Sequence, residues 1–236
     1  MSWREIHLFP ADLPDDRKNR GFSSMALSPD GRCVAGGCND SIFVLDLDDT
    51  AARPRGFPNE QPDNVNALLF SRDGARLIAC YGHANGQPGN AVTSFDLRDG
   101  SPTRKGRITV PRSLAPAGGD RIAYGCSEGE IVIARSDDLV EIATLPCPEE
   151  WRQEALKVIQ GLALLPGDRL LAITGEREKG DGSSRLFSRS MDPKDRVRTI
   201  AEKLDLLTSL HVSEDGLFAA LGAYSPGVVE VRAIPD

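Results

Sequence analysis

Ser24-Met-Ala-Leu-Ser-Pro-Asp-Gly-Arg-Cys-Val-Ala-Gly-Gly37, followed by Ser41-Ile-Phe-Val-Leu-Asp-Leu47, is the stretch whose reading decides the fold. It reads as three short strands. One apolar run ends in Ser-Pro-Asp-Gly, a second ends in Gly, and a third ends in Asp-Leu. Gly and Asp at the first break tolerate the positive φ that a tight hairpin turn needs.

Working outward, the same pattern recurs five times. The turn dipeptide returns as Asp73-Gly74, Gly119-Asp120, Gly167-Asp168 and Asp215-Gly216. The second strand ends at Gly37, Gly82, Gly125, Gly175 and Gly222, spaced 45, 43, 50 and 47 residues apart. Repeats of 20 to 50 residues signal a repeat architecture. An Ala stands two or three residues ahead of each glycine, at Ala35, Ala79, Ala123, Ala172 and Ala220. Small residues at one repeated spot predict close approach of a neighbouring backbone.

Each unit holds four strands. Those of the second are expected over 65–71, 76–81, 91–97 and 106–110, and the outer strand of the first, near 53–57, is weakly defined. The fifth unit, with strands over 207–212, 217–221 and 228–234, is one strand short. Residues 3–9, Trp-Arg-Glu-Ile-His-Leu-Phe, belong to no unit and would supply it. The expected fold is therefore all-β: five four-stranded sheets closed into a ring by the N-terminal strand pairing with the last. Radial repetition of this kind protects strand edges. The whole chain, 1–236, reads as one domain.

The unit resembles a WD40-type β-propeller blade. In that family the third strand normally ends in Trp-Asp, and Leu45-Asp46 and Phe95-Asp96 stand at that place. The later units depart, with Ala134-Arg135, Phe187-Ser188 and Val231-Arg232. The single Gly-His dipeptide, Gly82-His83, follows a second strand instead of preceding a first. The resemblance implies a degenerate propeller that acts as a protein-interaction scaffold.

Composition narrows the function. Hydrophobic residues make up 40% of the chain, in short runs broken by Gly, Pro, Asp and Ser, which is an all-β pattern. No apolar run approaches a membrane span, and the N-terminus lacks a basic region followed by an apolar one. The net charge of −7 argues against a general nucleic-acid or anionic-membrane binder. Five cysteines, irregularly spaced, read as free buried thiols in a reducing cytoplasm.

A search for chemistry is largely negative. The innermost strands would line the central channel, and they contain no Asp or Glu. A glycosidase needs two carboxyl groups across the scissile bond. Cys80 and His83 have a metal-compatible spacing, but no second pair accompanies them, and a structural zinc takes four ligands. No nucleophile elbow or phosphate loop is present. His211 is the ionisable side chain expected nearest the channel. No cofactor is implied.

The loops between second and third strands of units two, four and five are polar, and two of them are long and Gly-rich. They fall on one face of a propeller. Tyr81, His83, Asn85, Arg177, Lys179 and Tyr224 are the expected binding residues there, for a partner protein. Trp151, after the third unit, would be either an edge-covering core residue or an exposed anchor. The alternative function is an enzyme, or a sugar- or metal-binding propeller, with its site at the channel mouth. A third reading has another chain complete the ring.

Overall fold

The computed structural model describes residues 22–38, 41–49, 54–58, 64–82, 90–106, 109–151, 158–175, 184–204, 207–223 and 227–235. All regular structure in it is β, apart from a single 3-10 turn at Glu149–Trp151. Blade one comprises β1 (Ser24–Leu27), β2 (Cys33–Cys38), β3 (Ser41–Asp46) and β4 (Arg55–Pro58). Blade two comprises β5 (Val65–Phe70), β6 (Arg76–Tyr81), β7 (Ala91–Asp96) and β8 (Pro102–Gly106). Blade three comprises β9 (Pro111–Pro116), β10 (Arg121–Cys126), β11 (Ile131–Arg135) and β12 (Glu141–Leu145). Blade four comprises β13 (Val158–Leu165), β14 (Arg169–Gly175), β15 (Ser184–Ser190) and β16 (Arg198–Leu204). Blade five comprises β17 (Leu207–Val212), β18 (Phe218–Ala223) and β19 (Val229–Ala233). Every blade is an antiparallel meander in chain order, and the five form a β-propeller. The expected closing strand, residues 3–9, lies outside the described residues.

The turns explain why the repeat folds. In blade one the Ser28 hydroxyl donates to Asp30 Oδ1 at 2.6 Å and accepts the Cys33 amide at 2.8 Å. Ser71 and Asp73 repeat this in blade two, as do Ser213 and Asp215 in blade five. Gly31, Gly74 and Gly216 follow, with φ between 70° and 74°. The hydroxyl and amide donors hold the Asp30, Asp73 and Asp215 carboxyls below the usual carboxylate range. Blade four bends differently, with Gly167 and Asp168 both at positive φ, and Asp tolerates that conformation better than most side chains.

The Asp of the third strand has a similar role. Asp46 Oδ1 accepts the Asp48 amide at 2.8 Å, and Asp96 Oδ1 accepts the Arg98 amide at 2.9 Å. The Arg98 guanidinium also grips Asp96 at 3.1 and 2.8 Å, which holds that carboxyl well below its ordinary range. This turn corrects one expected element. The outer strand of blade two is Pro102–Gly106, not 106–110. Gly100, at φ 81°, closes the turn on the Asp96 carbonyl, so pairing resumes at Phe95 with Pro102. Proline is tolerated there because the strand lies at a sheet edge.

Packing between blades is repetitive. Each blade has a leading face, toward the preceding blade, and a trailing face. Ala35 and Ile42 of blade one pack on Leu77, Ala79 and Tyr81 of blade two. Ile78 and Cys80 then meet Ile122 and Tyr124. Ala123 and Ile133 meet Leu170 and Ala172, and Leu171 and Ile173 meet Ala219 and Leu221. The alternation follows from the two-residue period of a strand. Successive innermost strands, β1, β5, β9, β13 and β17, are in contact.

Candidate functional site

The innermost strands carry polar side chains that serve the scaffold. Ser23 Oγ donates to the Val65 carbonyl at 2.7 Å, Asn66 Nδ2 to the Pro111 carbonyl at 2.9 Å, and Ser113 Oγ to the Ile159 carbonyl at 3.0 Å. These three bonds each cross a blade boundary at a corresponding place. They satisfy backbone acceptors that would otherwise be buried without partners. Arg112 Nη1 donates to Asn66 Oδ1 at 3.3 Å. Among the described residues, no group of three or more His, Cys, Asp or Glu side chains is placed to hold a metal ion. His211 is exposed and stands opposite Ala220, which in turn stands opposite Val231. Its row belongs to the trailing face of blade five.

A half-open cavity of about 510 Å³ lies where the innermost strands of blades one to four reach their turns. Leu27, Leu69, Phe70, Pro116, Ile122 and Leu164 give it an apolar lining. Arg72, Asp120 and Arg121 stand at its edge. Arg121 Nε donates to the Gly118 carbonyl at 3.1 Å and its guanidinium lies 3.6 Å from Asp168. Such exposed pairs contribute little energy. The cavity can hold an apolar side chain.

Among the described residues, exposed large apolar side chains gather elsewhere. On the leading face of blade one, Met25 and Leu27 are 65% and 60% exposed. On the trailing face of blade five, Phe218, Val229 and Val231 are 48%, 71% and 65% exposed. At the four internal boundaries the facing strands pack together as buried core. The edge of β19 adds unpaired backbone groups, since among the described residues no strand pairs with its outer side. The seam between blades five and one is therefore apolar on both walls.

Of the expected loop-face residues, Tyr81 is described. It ends β6 between Val65 and Ala91, is 3% exposed, and packs in the core between blades one and two. His83, Asn85, Arg177, Lys179 and Tyr224 lie outside the described residues. Cys38, Cys80, Cys126 and Cys147 are buried, Cys33 is half-buried, and all five are free thiols. Burial, with Cys126 close by, pushes the Cys80 thiol well up. Trp151 is an edge-covering core residue. It meets the Phe187 ring edge-on at 5.0 Å, and the Arg185 guanidinium lies 5.3 Å from its centroid. In the sequence, Val229-Glu-Val-Arg-Ala233 alternates as an ordinary strand does, so neither wall is marked there.

The five-blade meander has a counterpart among solved structures. The structure of U3-55K, a WD40 β-propeller protein, superposes with a TM-score of 0.69 at 14% identity, over 91% of this chain. The chain has a WD40-like β-propeller fold. The propeller spans 62% of the length of U3-55K. No protein-family model matches it, and no curated protein matches it in sequence. At 14% identity the likeness carries the fold of this WD40-like propeller and nothing more. Among the described residues, no helix is long and apolar enough to cross a membrane.

Proposed function

We propose that the protein is a non-enzymatic interaction module, a scaffold or complex subunit, that receives a partner protein at the seam between blades five and one. The observation that carries this is the pair of exposed apolar walls, Met25 and Leu27 facing one side and Phe218, Val229 and Val231 the other. Contiguous apolar surface of this kind marks interaction sites. The edge of β19, unpaired among the described residues, runs along one wall. A partner that presents an extended strand with apolar side chains would pair with that edge and cover the wall in one step. The propeller neighbour and the absence of carboxylates from the innermost strands also favour a scaffold over an enzyme.

A photo-crosslinking residue placed at Val231 tests this, with one at Ile142 as control. Ile142 is 52% exposed but lies on the outer strand of blade three. The expected result is one protein crosslinked from Val231 and not from Ile142, co-purifying in stoichiometric amount and lost on Val229→Asp. Crosslinks only to a second copy, or only to residues 1–21 of the same chain, overturn the reading. So does a partner captured equally by Val229→Asp but lost on changing His83, Asn85, Arg177, Lys179 or Tyr224, which would place binding on the loop face.

A further inference from the structure

Arg189 is a buried cation with no counter-ion among the described residues. It is the next-to-last residue of β15 and is 4% exposed. Its Nη1 donates to the Pro146 carbonyl at 2.9 Å. Its Nε is buried and meets no hydrogen-bond partner. Among the described residues it forms no ion pair. Burial pushes its pKa down, yet an arginine stays protonated. A guanidinium carries five N–H donors in a rigid fork, and a neutral carbonyl at one of them offsets little of the cost of burying the charge.

The side chain lines a half-open cavity of about 610 Å³ between the end of blade three and the outer turn of blade four. Pro146, Pro148 and Pro193 stiffen its walls. Arg196, exposed, stands with them, and Glu149 and Asp195 are the carboxylates of the lining. A structural peg that bonds one carbonyl would need a single neutral donor. A charged fork kept in a solvent-connected cavity is suited to an acceptor with two or more oxygens.

We propose that this cavity is an oxyanion-binding site in which Arg189 is the anchoring residue, taking a phosphate or carboxylate group. Arg196 adds a second positive charge at the entrance. Glu149 and Asp195 oppose a bound anion and set an upper limit on its affinity.

Inorganic phosphate and acetate are the probes, titrated calorimetrically into the full chain against sodium chloride at matched ionic strength. Phosphate also stabilises proteins by general exclusion, so heat of binding and variant comparison decide, not melting temperature alone. Saturable binding of phosphate, acetate or both is expected, and whichever binds more tightly identifies the group. Arg189→Met should weaken binding at least about tenfold, as loss of a charge-assisted fork does. Arg196→Glu, at an exposed position, gives a second reading should Arg189→Met fail to fold. It should weaken binding several-fold, and Glu149→Gln should strengthen it. No saturable heat with either anion overturns the proposal. Binding that Arg189→Met leaves unchanged, or that neither Arg196→Glu nor Glu149→Gln alters, overturns it as well.

Discussion

Gly37 of blade one lies directly against Val65 of blade two, so that a Cβ added at Gly37 would stand 2.5 Å from Val65 Cγ1. Gly125 meets Ile159 of blade four in the same way. These contacts explain the glycine at the end of the second strand in blades one and three. The next innermost strand occupies the space a side chain would need.

Gly37→Ala and Gly125→Ala should each destabilise the protein by roughly 1–3 kcal/mol, the range for overpacking a close contact. Gly56→Ala is the control, because its nearest neighbour, Phe43, is 3.9 Å from the added Cβ. That change should be neutral or slightly stabilising. Urea midpoints at constant m-value would measure all three.

Ser71→Ala should cost about 1–3 kcal/mol, because it removes a buried hydroxyl and leaves the Arg76 amide without that acceptor. Ser213→Ala, at the corresponding but more exposed turn of blade five, should cost less. Comparing the two by urea unfolding separates the turn's intrinsic worth from the effect of burial.

Acid should act through the same turns. The Asp30, Asp73 and Asp215 carboxyls have folded-state pKa values below the ordinary aspartate value of 3.8, chiefly through the Ser hydroxyls and backbone amides. A depressed pKa contributes stability that is present above the unfolded value and is lost as pH falls through the folded one. Unfolding free energy should therefore drop as pH passes downward through the 3.8 region. In Asp73→Asn that drop should be shallower. Equal slopes for wild type and variant would contradict this.

Trp151→Ala should cost about 3–5 kcal/mol, since it empties an aromatic contact in the core between blades three and four. Phe187→Ala should cost a similar amount. The double variant should cost less than the sum of the two, because the rings touch. Equilibrium unfolding of the four proteins gives the cycle.

Thiol accessibility offers an independent check. Half-buried Cys33 should react slowly with a thiol reagent in the native state, because burial and Asp46 raise its pKa. The other four cysteines should react on unfolding. Rapid native labelling of more than one thiol would contradict the burial.

Much of this was legible in residue order because the turns are local. Ser, Asp and Gly within a few residues specify their own hydrogen bonds, so Ser28–Gly31 and Ser71–Gly74 announce a hairpin without knowledge of the rest. The outer strand of blade two is not legible in residue order, because Pro102 reads as a breaker unless the strand is known to lie at an edge. Arg189 gave no signal at all. Its guanidinium bonds the Pro146 carbonyl, 43 residues away in sequence, and no local pattern reports such a contact. The seam is similar: alternation along β19 says that one side is apolar, but only the assembled blades show that nothing in the described structure covers it.

Blades two, three and four pack between two others, whereas among the described residues the outward faces of blades one and five carry exposed apolar side chains. In a chain of near-identical modules, protection against opening grows with the number of covered sides. Deuterium uptake should therefore proceed inward from the termini, with β17–β19 exchanging first and the amides of β10 and β14 last. The molecule would wear away like a stack of plates loosened from its ends, and anything that settles on the last plate would slow the whole sequence.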